Sequence, residues 1–192
     1  MADDSTTSNR DLSGAEAARR DGTGERADAA SSTCHVVHDD TVGELHLSHE
    51  NVEHLLSGGS FFWLDLHRPT EDDFAVLRDV FRFHPLALED SEHFDQRAKL
   101  DDYDDFVFLV VYGANPDEDR LVEVHCFYSE RFLVTIRRDD APAFTEVRRR
   151  YQKRKKPIDD PSQLLYRIID ALVDSFFPIL VDFDDRIDEL EN

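Results

Sequence analysis

Apolar positions along this chain follow two rhythms. Residues 61–66 read Phe-Phe-Trp-Leu-Asp-Leu, with glycines before them and Pro69 after; that composition and punctuation predict a β-strand. Residues 106–112 form an unbroken apolar run, which predicts a strand buried on both faces. Residues 121–128 and 131–136 are further strands joined tightly at Ser129 and Glu130, so the three together predict a meander. Residues 35–47 carry a weaker pattern, one or two strands around a turn at 39–43.

The second rhythm is helical. Residues 51–56 predict a helical turn closed by Ser57-Gly58-Gly59. Thr70 is a good N-cap, acids fill the turn after it, and Phe74, Leu77, Val80 and Phe81 follow at helical spacing. Pro142 opens a helix reaching about Lys155. Ser162 is placed to cap a last long helix, in which Leu164, Ile168, Leu172, Phe176, Leu180, Ile187 and Leu190 mark one apolar seam. Pro178 predicts a kink in it. The seam runs to Asn192 without a C-cap glycine, so the helical pattern is expected to continue past that residue.

Between the first strand–helix unit and the meander lies His84-Pro85-Leu86-Ala87-Leu88-Glu89-Asp90, followed by Arg97 and Lys99. Pro85 suits the first position of a helix. A helix this short is not stable alone and must dock on something. Its two adjacent acids suit a cation; they equally describe an ordinary helix end with solvated charges.

Composition changes the picture in one respect. The 192 residues carry a formal charge of −21, a field that repels nucleic acid and anionic lipid and attracts cations. Residues 1–32 almost lack large apolar groups and are expected to be a disordered tail. The expected organisation is therefore the tail, a sheet domain over 33–140, and a helical pair over 141–192. Against the acidic background, residues 148–156 are a basic run. A solvated helix end or a contact with an acidic surface explains it better than nucleic acid, since no aromatic platform interleaves. No apolar run approaches the ~20 residues of a membrane span. Cys34 and Cys126 form no ligand motif, and Cys126 is expected to be a buried thiol.

Catalytic chemistry has little support. There is no Gly-x-Ser-x-Gly elbow and no phosphate-binding glycine loop among the seven glycines, so the chain is not read as an enzyme. His35-x-x-His38 and His46-x-x-His49 with His54 lack the thiolates or helical His-Glu-x-x-His of a zinc site, and His125 reads as structural. Glu89, Asp90, Asp170 and Asp174 are the better constellation. Asp170 and Asp174 lie four apart, on one helix face. Oxygen ligands without sulfur suit Mg2+. Two carboxylates ~5 Å apart repel by roughly 3 kcal/mol at an effective dielectric of ~20, and a cation between them reverses the sign.

The order of motifs is itself informative. Trp63-Leu64-Asp65-Leu66, Pro69-Thr70, His84 to Asp90, Gln96-Arg97-Ala98-Lys99-Leu100, Tyr103-Asp104-Asp105-Phe106, Leu164-Leu165-Tyr166 and Asp170-Ala171-Leu172-Val173-Asp174 together resemble the cytoplasmic N-terminal domain of the CorA family of divalent metal ion transporters. Ala98 departs from the proline usual there.

The resemblance implies an α/β fold, an α/β/α sandwich with a central mixed sheet, followed by two long C-terminal helices that lead toward a stalk and membrane helices outside this sequence. It implies a homopentamer in the plasma or inner membrane, with this segment cytoplasmic, that transports Mg2+ or Co2+. It further implies that Mg2+ bound between subunits favours the closed state. Asp90 would then serve a principal intersubunit site whose partner lies on the stalk, and Glu89 and Asp170 a second site, with Asp174 one turn on. The alternatives are a zinc transporter of the ZntB branch and a stand-alone interaction module using the apolar seam and the basic run.

Overall fold

The computed structural model describes residues 32–191, apart from 40, 119, 155–157 and 159. All of the expected tail but Ser32 therefore lies outside the described residues, as does part of the basic run. Seven strands form one sheet: Thr33–His38 (β1), Thr41–Glu44 (β2), Phe62–His67 (β3), Lys99–Asp102 (β4), Val107–Asn115 (β5), Arg120–Tyr128 (β6) and Phe132–Arg137 (β7). Their spatial order is β2-β1-β3-β7-β6-β5-β4. Only β3 and β7 run parallel; every other neighbouring pair is antiparallel. The sheet is thus mixed, and β5, β6 and β7 form the expected meander.

Among the described residues there are six α-helices: His49–Ser57 (α1), Glu71–Val76 (α2), Pro85–His93 (α3), Pro142–Arg154 (α4), Pro161–Asp174 (α5) and Phe177–Glu191 (α6). Strand alternation sorts the buried side chains into two layers. Phe62, Leu64, Phe108, Phe127 and Val134 pack with Val52, Phe74, Ala87 and Leu88, so α1, α2 and α3 lie on one face. Trp63, Val124, Cys126 and Leu133 pack with Phe144, Val147, Leu164, Ile168 and Leu172, so α4 and α5 lie on the other. The result is an α/β/α sandwich.

Local chemistry accounts for the ends of these elements. Thr70 makes a reciprocal capping box with Asp73, and α2 runs on into a π-helical turn, Leu77–Phe81, that stops at Arg82 in the left-handed region. Pro85 occupies the first turn of α3. Asp160, rather than Ser162, caps α5, accepting from the backbone N–H groups of Ser162 and Gln163; Pro161 then fills the first helical position. The long helix expected over 162–192 is bent, with α5 and α6 parted at Ser175 and Phe176. Pro178 cannot donate to the carbonyl of Asp174, and its ring crowds that carbonyl, so the break falls one turn before the proline.

Two features differ from the sequence pattern. β4 has only Leu100 as a large apolar residue, and Leu100 is exposed; its pairing with β5 comes from backbone hydrogen bonding, and its charged side chains blunt the sheet edge. β5 was expected to be buried on both faces, yet Val107, Leu109 and Val111 are only half-buried, because α5 covers its face incompletely. α5 approaches closely at Gly113, where a Cβ would stand 2.5 Å from Leu172 Cδ2.

Candidate functional site

α3 carries Glu89 and Asp90 and is built to be held. Ala87, Leu88 and Ser91 are buried, whereas Leu86 and Glu89 are exposed. Ser91 lies over β6, where the alternation of Val122, Val124 and Cys126 turns Glu123 and His125 to the opposite face. His125 is fully buried. Its Nδ1 is 2.9 Å from Ser91 Oγ and its Nε2 is 2.7 Å from Glu123 Oε1. With Nε2–H donated to the carboxylate, Nδ1 shares the single Ser91 hydroxyl proton with the Ala87 carbonyl, which also lies 2.9 Å from Ser91 Oγ. Burial lowers the His125 pKa against the opposing pull of Glu123, which favours the neutral ring.

Glu123 also ends the segment. Its carboxylate accepts from the backbone N–H groups of Asp95 and Gln96 at 2.8 and 3.0 Å. Phe94 and Asp95 both have positive φ, 58° and 56°, a conformation non-glycine residues adopt only when the surroundings enforce it. Stacking helps: the Phe94 ring lies 4.7 Å from the His125 ring, and the Arg138 guanidinium sits 4.3 Å above the Phe94 centroid. This buried network is the docking the sequence demanded but did not identify. A signal was present: two ionisable residues, Glu123 and His125, two apart inside an otherwise apolar strand.

Asp90 is half-buried and already has a cation. Lys99 at the start of β4 places Nζ 2.7 Å from Asp90 Oδ2 and 2.8 Å from Asp101 Oδ2. Hydrogen bonds to Asp101 and then Asp90 raise the Lys99 pKa. Glu89 faces solvent, and its backbone carbonyl lies 2.8 Å from His93 Nδ1.

Asp170 and Asp174 are exposed on α5, whose buried side faces the other layer of the sandwich. The fold therefore groups Glu89 with Asp90, and Asp170 with Asp174, but sets the two pairs on opposite sides of the sheet. Among the described residues, no three His, Cys, Asp or Glu side chains are grouped to hold a metal ion. Of the histidines considered for zinc, His46 and His54 are exposed and His49 lies 3.5 Å from Asp79.

At the basic end of α4, Arg149, Arg150 and Lys153 lie exposed, as a solvated face would, but Arg148 does not. Arg148 reaches inward to the carboxylate of Asp65, which also meets Arg137 at 3.2 Å and the Thr135 hydroxyl at 3.1 Å. Asp65 is 1% exposed and Arg137 4%. Burial lowers the Arg148 pKa, with Asp65 opposing. Arg149 and Arg150 pair with Glu146 one turn earlier. On α6, Phe177, Leu180, Val181, Phe183, Ile187 and Leu190 are exposed.

Comparison with known proteins decides what this arrangement belongs to. Residues 58–192 match the family described as CorA-like Mg2+ transporter protein. The chain belongs to that family. YfjQ of Bacillus subtilis (strain 168) is 38% identical over 133 residues, covering 69% of this chain and 42% of YfjQ. The cobalt/magnesium transport protein CorA of Thermotoga maritima is 35% identical over 122 residues, 59% of this chain and 34% of that protein. The chain thus spans well under half the length of these relatives. Among solved structures, the soluble domain of CorA from Methanocaldococcus jannaschii matches with a TM-score of 0.61 at 18% identity, over 82% of this chain and 62% of that one. The sandwich is therefore the CorA-family fold, and no described helix is long and apolar enough to cross a membrane.

Proposed function

We propose that this chain is the metal-sensing domain of a CorA-type transporter of Mg2+ or Co2+, in which divalent cations bound between copies favour the closed state. The observation that carries this reading is the placement of the carboxylates. Glu89 and Asp90 stand on one side of the sandwich and Asp170 and Asp174 on the other. One chain does not bring them together, but neighbouring copies in a ring present one pair to the other. Glu89 and Asp170 then share one intersubunit site. Asp90 serves the principal site with a group from the stalk that follows this segment, and Asp174 lies one turn from Asp170. Without cation the facing acids repel; with it they draw the copies together. The exposed apolar positions of α6 suit burial against helices of the same assembly. On this reading the domain lies on the cytoplasmic side of the membrane, the whole protein is a homopentamer, and no enzymatic step is involved.

The test is protection of the whole protein from proteolysis across a Mg2+ or Co2+ titration. Asp90→Ala combined with Asp170→Ala should abolish protection. Unchanged protection in the double variant would remove these residues from the sensor.

Zinc transport is the second reading. The cytoplasmic domain of ZntB from Vibrio parahaemolyticus matches with a TM-score of 0.63 at 16% identity, level with the CorA domain, so the fold leaves the ion open. Metal-dependent flux of Mg2+ against Zn2+ separates the two.

A further inference from the structure

Lys99 and Asp101 were not among the candidate residues, yet they occupy the immediate surroundings of Asp90. The Lys99 ammonium is shared between two carboxylates, 2.7 Å from Asp90 and 2.8 Å from Asp101. All three side chains are partly shielded, with 31%, 24% and 42% exposure for Lys99, Asp90 and Asp101. The Lys99 ammonium also lies over the Phe108 ring, 5.3 Å from its centroid. β4 holds both residues in register with β5, Lys99 opposite Val110 and Asp101 opposite Phe108. The lysine is therefore positioned by the sheet, and Asp90 by the buried His125–Glu123–Ser91 network.

We propose that Lys99 is a tethered cation that competes with the divalent ion for Asp90, and that Asp101 is the seat to which the ammonium retreats when the ion binds. This rests on the sensing role of Asp90. A cation reaching Asp90 meets a carboxylate whose charge is already compensated, and a positive charge within contact distance. Binding proceeds if the ammonium gives up its hydrogen bond to Asp90. Because Asp101 already holds the same ammonium, that release leaves it paired, and a swing of the flexible four-carbon stem suffices. The pair thus sets the cation concentration at which the sensor responds: Lys99 raises the threshold, and Asp101 lowers it by supplying the alternative partner.

The experiment is the Mg2+ midpoint for protection of the whole protein from proteolysis, in single and combined variants. Lys99→Met keeps an unbranched side chain of similar length and removes the charge; its midpoint should fall about tenfold. Lys99→Arg retains the charge and should stay near wild type. Asp101→Asn should raise the midpoint in the wild-type background and have no effect in Lys99→Met, since Asp101 acts only through the lysine. An unchanged midpoint in Lys99→Met overturns the proposal, as does an equal effect of Asp101→Asn in both backgrounds. Asp90→Ala separates this from the parent reading. If it abolishes the response while Lys99→Met is silent, sensing stands and competition fails; if it leaves the wild-type midpoint, both fail.

Discussion

Two buried polar networks sit on opposite faces of one sheet, and they differ in kind. Under α4, Asp65 binds two guanidinium groups, Arg137 and Arg148. Under α3, Glu123 binds a buried imidazole and two backbone N–H groups. The first network fixes a helix to the sheet with ion pairs. The second fixes a helix that bears candidate sensing acids, and it does so through a titratable ring and a strained turn. The first is a structural anchor; the second sets where Glu89 and Asp90 stand.

The largest expected effect tests the anchor. Asp65→Ala strands two guanidinium groups in the core and should cost about 3–5 kcal/mol in urea unfolding. Glu123→Ala leaves His125 and the N–H groups of Asp95 and Gln96 without their acceptor; the expected loss is about 3 kcal/mol. The two should part in function. Among molecules that remain folded, Glu123→Ala should shift the Mg2+ midpoint and Asp65→Ala should not; equal shifts would erase the distinction. Ser91→Ala removes one hydrogen bond to His125 and should cost about 1 kcal/mol.

The comparison also predicts a pH dependence. Burial lowers the His125 pKa from the ordinary 6.5, and burial with nearby arginines lowers those of His35 and His67. Well above pH 6.5 these rings are neutral in both states. As pH falls below 6.5 the unfolded chain takes up protons that the folded chain resists, so stability is lost through the lowered folded values. His125→Asn should flatten the urea-midpoint decline on acidification. An unchanged decline would assign it to other groups.

Much of the scaffold could be read from sequence because its signals are local. The aromatic run of β3, the apolar runs of the meander, the Thr70 cap and Pro85 each state their structure within a few residues. β4 could not be read, since Lys99-Leu100-Asp101-Asp102 is a strand only by pairing with β5. The bend before Pro178 was foreseeable, but its position depended on which carbonyl the ring displaces. Of the candidate site, the acids were visible as residue types; helix periodicity put Asp170 and Asp174 on one face, and Glu89 and Asp90 were simply adjacent. Their separation across the sheet depended on which layer each helix joined. Lys99 was visible only as a returning positive charge, and Arg148 as part of a basic run. Their partners, Asp90 and Asp65, lie 9 and 83 residues away in sequence.

The central claim is that the two acidic pairs meet between copies rather than within one. The native thiols will not interfere: both are buried, and burial pushes Cys126 up to about 12 and Cys34 higher still. The direct measurement is oxidative cross-linking of the whole protein carrying Glu89→Cys and Asp170→Cys, with Mg2+ present. The account predicts covalent dimers and higher species on a non-reducing gel, each single variant remaining monomeric. A double variant that stays monomeric, by forming its bond within one chain or none at all, would contradict it.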